Sequence, residues 1–132
     1  MIARILQIIV GLAGLCALVA GLFIWIAHSG LTDIHMLFGL LVTLGLLAMS
    51  IIALTASGLR IWGTVGIVYA LILPIFGVMQ SSMLTGNLHW LIQILHLLVG
   101  IGAMALTGTL GARYKALKYG ETQPEPSSQA LR

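Results

Sequence analysis

The 132-residue sequence contains four histidines, and these are its main candidates for chemistry: His28, His35, His89 and His96. His35 and His96 lie inside apolar runs, where a neutral imidazole is a ready ligand for a transition metal. Two imidazoles that face each other within an apolar helical bundle are what bis-histidine ligation of haem b requires. We therefore expect His35 and His96 to be the axial ligands of a haem iron, with haem b as the cofactor.

Each of these two histidines is followed by a glycine at the same spacing, Gly39 after His35 and Gly100 after His96. A spacing of four residues is about one helical turn, so each glycine is predicted on the same helix face as its histidine. The missing side chain leaves room beside the ligand for a flat porphyrin. The sequence therefore predicts Gly39 and Gly100 as cofactor-binding positions, although short matches also arise by chance in a sequence so rich in Gly, Leu and Ile.

The other two histidines leave alternatives open. His89 lies on the same predicted helix face as His96, and its predicted depth in the membrane is closer to that of His35. An iron site formed by His35 and His89 therefore stays open. His28 and His89 are otherwise predicted at the membrane interface, as solvated turn residues or as hydrogen-bond partners of haem propionates. For any single histidine, a hydrogen-bonded packing role without a cofactor is the simpler interpretation.

The composition identifies the surroundings of these histidines as a membrane. Of the residues, 60% are hydrophobic and 7% are charged, whereas a soluble domain carries about 25% charged residues. With a net charge of +3 from only six Lys and Arg, the sequence is not that of a nucleic-acid-binding protein. The predicted membrane segments contain no Asp, Glu, Lys or Arg, which disfavours ion-coupled transport.

Four apolar segments, at about 5–27, 34–56, 61–80 and 88–110, are each long enough to cross a hydrocarbon layer of about 30 Å. The predicted fold is all-α, an integral membrane four-helix bundle with up-down-up-down topology. Residues 1–120 form this four-transmembrane-helix domain. Residues 121–132 are polar and contain two prolines, so they are predicted to be a disordered cytoplasmic tail.

The basic residues predict the orientation of this bundle. If the four segments alternate in direction, five basic residues fall at one membrane face: Arg4, Arg60, Arg113, Lys115 and Lys118. Because Lys and Arg are enriched on the cytoplasmic side of membrane proteins, both termini are predicted to be cytoplasmic. The expected location is therefore the cell (inner) membrane, which the chain crosses several times.

Two stretches carry a resemblance to a known family. The stretch 33–42, DIHMLFGLLV, resembles the haem-ligand helix of the heme A synthase family. The stretch 77–98 is similar to that family's third and fourth helices, where a glutamine-containing helix end and a short loop precede a ligand histidine. Members contain two four-helix halves, each offering haem a histidine pair from its second and fourth helices. The resemblance covers one such half, and it implies His35 and His96 as axial ligands.

The sequence departs from the family pattern where haem oxidation is concerned. The catalytic half of family members usually has a glutamate three residues before the first ligand histidine and an arginine directly after it. Here those positions are Thr32 and Met36, and the extracellular cysteine pair of many members is absent because Cys16 is the single cysteine. The resemblance therefore implies a bundle that holds haem, and it favours a protein that is not an enzyme.

We predict a membrane haem b-binding protein, a b-type cytochrome, with a role in electron transfer or haem handling next to a respiratory or photosynthetic complex. The expected partners are membrane lipid and either a larger membrane protein complex or further copies of this chain. Two alternatives stay open. One is a cofactor-free accessory or assembly subunit whose histidines only pack, and the other is a haem-modifying enzyme similar to heme A synthase.

Overall fold

The computed structural model describes residues 1–120, and within them the chain forms four α-helices and no β-strand. The helices are α1 (Ile2–Ala27), α2 (Thr32–Leu54), α3 (Arg60–Met79) and α4 (His89–Gly120). Single 3₁₀ turns, Ser57–Leu59 and Gln80–Ser82, lie in the second and third connections. The prediction of an all-α protein with four helices is therefore confirmed, while the predicted tail, 121–132, lies outside the described residues.

All four helices are long and apolar enough to cross a membrane. The shortest, α3, has 20 residues and the longest, α4, has 32, compared with the roughly 20 residues that span a hydrocarbon layer. Many large apolar side chains lie exposed on the outside of the helices, among them Leu12, Leu71 and Ile75. Because such a continuous apolar surface suits lipid rather than water, the helices have the character of a multi-pass membrane protein, as the composition predicts.

The last helix extends past its predicted apolar segment. Helix α4 continues beyond Leu110 to Gly120, so its last turns carry Arg113 and Lys118. Helix α1 ends at Ala27, and the next residue, His28, adopts a left-handed conformation with φ of 50° and donates its backbone N–H to the carbonyl of Phe23. Such a left-handed residue is a common way to terminate a helix and satisfy one of its last carbonyls.

The core is built around α2, which contacts each of the other three helices. The buried apolar residues of the core include Val10, Leu46, Met49, Ala53, Ala103 and Leu110. Glycines bring the helices close together: a methyl group on Gly45 would overlap Val10, and one on Gly63 would lie 2.8 Å from the carbonyl oxygen of Ser50. Small residues at such positions allow the close helix packing that drives association in membranes.

The two fully buried hydroxyl groups of this core are both hydrogen-bonded. Ser50 donates to the carbonyl of Leu46 at 2.7 Å, and Thr107 donates to the carbonyl of Ala103 at 2.8 Å. Each bond runs one turn back along the residue's own helix, which is the usual way that Ser and Thr satisfy their hydroxyls in an apolar environment.

Polar side chains also tie α4 to its neighbours. Gln7 of α1 donates its side-chain N–H to the carbonyl of Gly108 at 2.8 Å and accepts a hydrogen bond from the ammonium of Lys115 at 2.8 Å. Tyr69 of α3 donates its hydroxyl to the carbonyl of Val99 at 2.9 Å. These bonds hold the middle and the last turns of α4 against α1 and α3.

Candidate functional site

His35 lies in the first turns of α2 and turns its imidazole toward α1. Its Nδ1 is 2.8 Å from the backbone carbonyl oxygen of Ala17. That carbonyl lies one turn before Gly21, whose missing side chain leaves the space that the ring occupies. A Cβ atom at position 21 would lie 3.1 Å from Cε1 and 3.2 Å from Nδ1 of His35. The conformation of His35 therefore depends on a backbone carbonyl and a glycine of the neighbouring helix.

This hydrogen bond determines which nitrogen of His35 carries the proton. A carbonyl oxygen only accepts hydrogen bonds, so Nδ1 must donate to Ala17. In a neutral imidazole the other nitrogen, Nε2, then has a free lone pair. Metal-binding histidines show the same arrangement, because a hydrogen bond from one nitrogen orients the other toward the metal.

His96 lies on α4 and is half-buried between helices. Its Cε1 would be 3.6 Å from a Cβ atom on Gly77 of α3, and its ring centroid lies 5.9 Å from that of Phe76. The Nδ1 atom of His96 is buried and has no hydrogen-bond partner. Since nearly all buried polar atoms in proteins are hydrogen-bonded, this nitrogen calls for an explanation.

The structure brings these two histidines together. The ring centroids of His35 and His96 are 5.8 Å apart, and the two ring planes are inclined by 51°. A histidine nitrogen binds a transition metal at about 2 Å, so rings at this separation are close enough for one metal ion to reach a nitrogen of each. The pair comes from α2 and α4, which are not consecutive in the chain.

The residues present fit a haem better than a bare metal ion. A structural zinc site takes four protein ligands, whereas a haem iron takes its axial ligands alone from the protein. The space beside Gly39 and Gly100 is open, since a Cβ atom at either position would meet nothing within 4 Å. Two neighbouring imidazoles, one of them oriented by a carbonyl, are the donor set that a bis-histidine haem site requires.

The other two histidines are placed differently. His89 is the first residue of α4, and its Nδ1 lies 3.1 Å from the carbonyl oxygen of Met83 in the preceding loop. His28 is exposed at the end of α1. The structure thus places His96, rather than His89, against the ring of His35.

Four residues around the pair were not predicted as parts of the site: Ala17, Gly21, Phe76 and Gly77. Ala17 acts through its backbone carbonyl, which every residue possesses, so no residue type indicates it. Gly21 and Gly77 are two of 16 glycines, and only the rotation of α1 and α3 about their axes distinguishes them from the rest.

Compared with known proteins, the chain matches no protein-family model, no curated protein sequence and no solved structure.

Proposed function

We propose that this protein is a membrane-bound b-type cytochrome, in which His35 and His96 are the axial ligands of one haem b. The observation that carries the proposal is the close approach of the two imidazoles, whose ring centroids are 5.8 Å apart. The hydrogen bond from Nδ1 of His35 to Ala17 supports it further, because this bond leaves Nε2 free to bind iron. The unpaired Nδ1 of His96 shows that the pair is not a fully satisfied packing contact.

Each part of the proposed site has a defined task. Ala17 holds the imidazole of His35 in one orientation and one tautomer. Gly39 and Gly100 leave open space on either side of the pair. A haem bound there supplies one-electron exchange between ferric and ferrous iron. Because His35 and His96 would take both axial positions, no position on the iron is left for oxygen or a substrate, which favours electron transfer or haem handling over catalysis.

The setting of the proposal is the cell (inner) membrane, with up-down-up-down helices and both termini in the cytoplasm. The basic residues support this orientation, since Arg4, Arg60 and Arg113 would then share one face with the remaining lysines of the described chain. The resemblance of stretches 33–42 and 77–98 to the heme A synthase family belongs to the same proposal. The electron partner would be a respiratory or photosynthetic complex, or another copy of the chain.

A second candidate is a cofactor-free accessory subunit of a membrane complex. One observation favours it: His35 already has a hydrogen-bond partner in Ala17, so this residue is satisfied without any ligand. The haem-modifying enzyme is the weaker alternative, because Thr32 and Met36 replace the acidic and basic residues that the family places beside its first ligand.

The optical spectrum of the purified full-length protein distinguishes these candidates. Protein made in haem-replete cells should show a Soret band and, after reduction, a sharp α-band. His35→Ala and His96→Ala should each abolish both bands, since either change removes an axial ligand. His89→Ala is the matched control, and it should keep the spectrum because His89 bonds to Met83 in the loop before α4.

Two outcomes would contradict the proposal in different ways. A colourless protein whose helical content and oligomeric state are normal would support the accessory subunit. If His89→Ala removes the spectrum while His96→Ala preserves it, the iron is bound by the other histidine pair. Conversion of haem O to haem A by the isolated protein would support the enzyme.

A further inference from the structure

A cleft between α3 and α4 lies apart from the histidine pair, at the end of the bundle where the basic residues gather. It has a volume of about 100 Å³ and is lined by Trp62, Thr109, Leu110 and Arg113. This volume equals that of roughly three water molecules, which is enough for a small polar group. Leu110 is fully buried and closes the cleft on its inner side.

The guanidinium group of Arg113 is held in place by an aromatic ring. Its central carbon lies 4.8 Å from the centroid of the Trp62 ring. The guanidinium has five N–H donors, so this contact through its central carbon leaves donors available for hydrogen bonds. The planar arrangement of these donors matches two oxygens of a phosphate group.

The neighbouring polar groups identify which donors the cleft offers. The hydroxyl of Thr109 already donates to the carbonyl of Leu106 at 3.0 Å. Trp62 contributes its ring, which contacts the guanidinium of Arg113. A ligand in the cleft would therefore meet this guanidinium as its charged donor.

The charge around the cleft is of one sign. Arg60 lies two residues before Trp62, and Lys115 lies two residues after Arg113. Among residues 1–120 the single carboxylate side chain is Asp33, in the first turn of α2. It is separated from the α2–α3 connection by the length of α2, about 30 Å at 1.5 Å per residue. This is several times the Debye length of about 8 Å at physiological salt, so Asp33 does not offset the local charge.

We propose that this cleft binds the phosphate of an anionic phospholipid, with Arg113 as the main donor and Trp62 as the support that orients it. The cleft opens onto helices of membrane-spanning character, with Ile61 and Val65 exposed on α3. A phospholipid places its acyl chains along this apolar surface while its phosphate meets Arg113. Free phosphate gains nothing from that surface, which is why the lipid is the preferred ligand. The proposal does not depend on haem binding.

The test is native mass spectrometry of the full-length protein, released from nanodiscs that contain phosphatidylcholine and phosphatidylglycerol in equal amounts. The wild type should retain one phosphatidylglycerol in preference to phosphatidylcholine. Arg113→Gln should weaken this retention about tenfold or more, because a stacked bidentate donor is lost. Arg60→Gln is the control for general electrostatic attraction, which amounts to about fivefold for one basic residue near an anionic surface. Arg113→Lys keeps the charge but loses the planar donors, and it should weaken retention several-fold.

Three results would overturn the proposal. The first is equal retention of the two lipids by the wild type. The second is a pattern that depends on net charge alone. In that case Arg113→Gln and Arg60→Gln lose the same amount of bound phosphatidylglycerol, and Arg113→Lys retains all of it. The third is complete release of phosphatidylglycerol by inorganic phosphate at millimolar concentration, which would make the cleft a site for soluble anions. Thermal unfolding of each variant checks that the fold is intact.

Discussion

Two regions of the bundle differ in how completely their polar groups are hydrogen-bonded. The first is the packed core, represented by Val10, Gly45, Leu46, Ser50, Gly66 and Leu110. The second is the histidine cluster, which consists of Ala17, Gly21, His35, Phe76, Gly77 and His96. In the packed core the hydroxyl of Ser50 has its hydrogen bond, whereas in the histidine cluster Nδ1 of His96 is buried without one. A buried polar atom without a partner is costly in an apolar bundle.

Glycine also serves different purposes in the two regions. In the packed core a methyl group on Gly45 would overlap Val10, and one on Gly66 would overlap Ser50. One turn beyond the two histidines, a Cβ atom on Gly39 or Gly100 would meet nothing within 4 Å. The first pair of glycines allows helices to touch, while the second pair leaves space unfilled. The glycines of the packed core are therefore in close contact with neighbouring helices, whereas Gly39 and Gly100 are not.

The largest expected effect comes from filling this open space. Gly39→Leu and Gly100→Leu should both fold, because the first carbon of the new side chain would meet nothing within 4 Å. Both should lose most of their haem, since the leucine takes the room that the porphyrin needs. Absorbance at the Soret band per mole of folded protein measures this loss. Gly11→Leu is the matched control, a helical glycine with open space and no histidine nearby. If both variants keep their full haem content, the porphyrin does not occupy the space beside Gly39 and Gly100.

A somewhat smaller effect is expected at Gly21. In Gly21→Ala the added carbon would lie 3.1 Å from the ring of His35, so the imidazole must shift away from the carbonyl of Ala17. Loss of such an orienting hydrogen bond typically lowers metal affinity by about 10- to 100-fold. Titration of the apoprotein with haem measures the change, and Gly11→Ala on the same helix should leave it unaffected. An unchanged affinity in Gly21→Ala would mean that the bond to Ala17 does not orient the ligand.

In the packed core, substitutions should affect stability and leave haem binding alone. Gly63→Ala places a carbon 2.8 Å from the backbone carbonyl of Ser50, and Gly66→Ala overlaps the side chain of the same residue. Overpacking of this kind costs about 1–3 kcal/mol of unfolding free energy. Unfolding in mixed micelles measures the loss, with Gly108→Ala as a control because its added carbon would meet nothing within 4 Å. Loss of haem from the folded Gly63→Ala variant would show that the two regions are coupled.

The smallest effect is expected from the interhelical hydrogen bond of Tyr69. Tyr69→Phe removes the donor to the carbonyl of Val99 and leaves the ring in place. Interhelical hydrogen bonds in membrane proteins contribute about 0.6 kcal/mol on average, so the free energy of unfolding should fall by about this amount. Ser50→Ala provides the comparison, since its bond to Leu46 stays within one helix. A loss several times larger in Tyr69→Phe would mean that this bond holds α4 in register against α3.

Much of the fold follows from local properties of the sequence. The four helices were predictable because apolar residues occur in blocks of the length that a helix needs to cross a bilayer. Helix ends were less predictable: α4 extends to Gly120 because helix formation continues through Arg113 and Lys118 after the apolar segment has ended. Hydropathy reports where lipid begins and ends, and it does not report where a helix begins and ends.

The candidate site was predictable only in part. His35 and His96 were the two histidines inside apolar runs, and the sequence identified them for that reason. It left the choice between His96 and His89 open, since both lie on one face of the same helix and depth is uncertain until tilt is known. The partner of His35, the carbonyl of Ala17, had no signature in the sequence because it belongs to the backbone.

The sequence by itself determined the class of this protein: an all-helical chain with four segments suited to a membrane and a small number of polar residues within them. This follows from residue type and spacing, which are local. Only the tertiary structure decided which of those polar residues meet. His35 and His96 are 61 positions apart in the chain, and their ring centroids lie 5.8 Å apart because α2 and α4 adopt one particular rotation and tilt. Rotation and tilt arise from the packing of all four helices together, so no single segment encodes them.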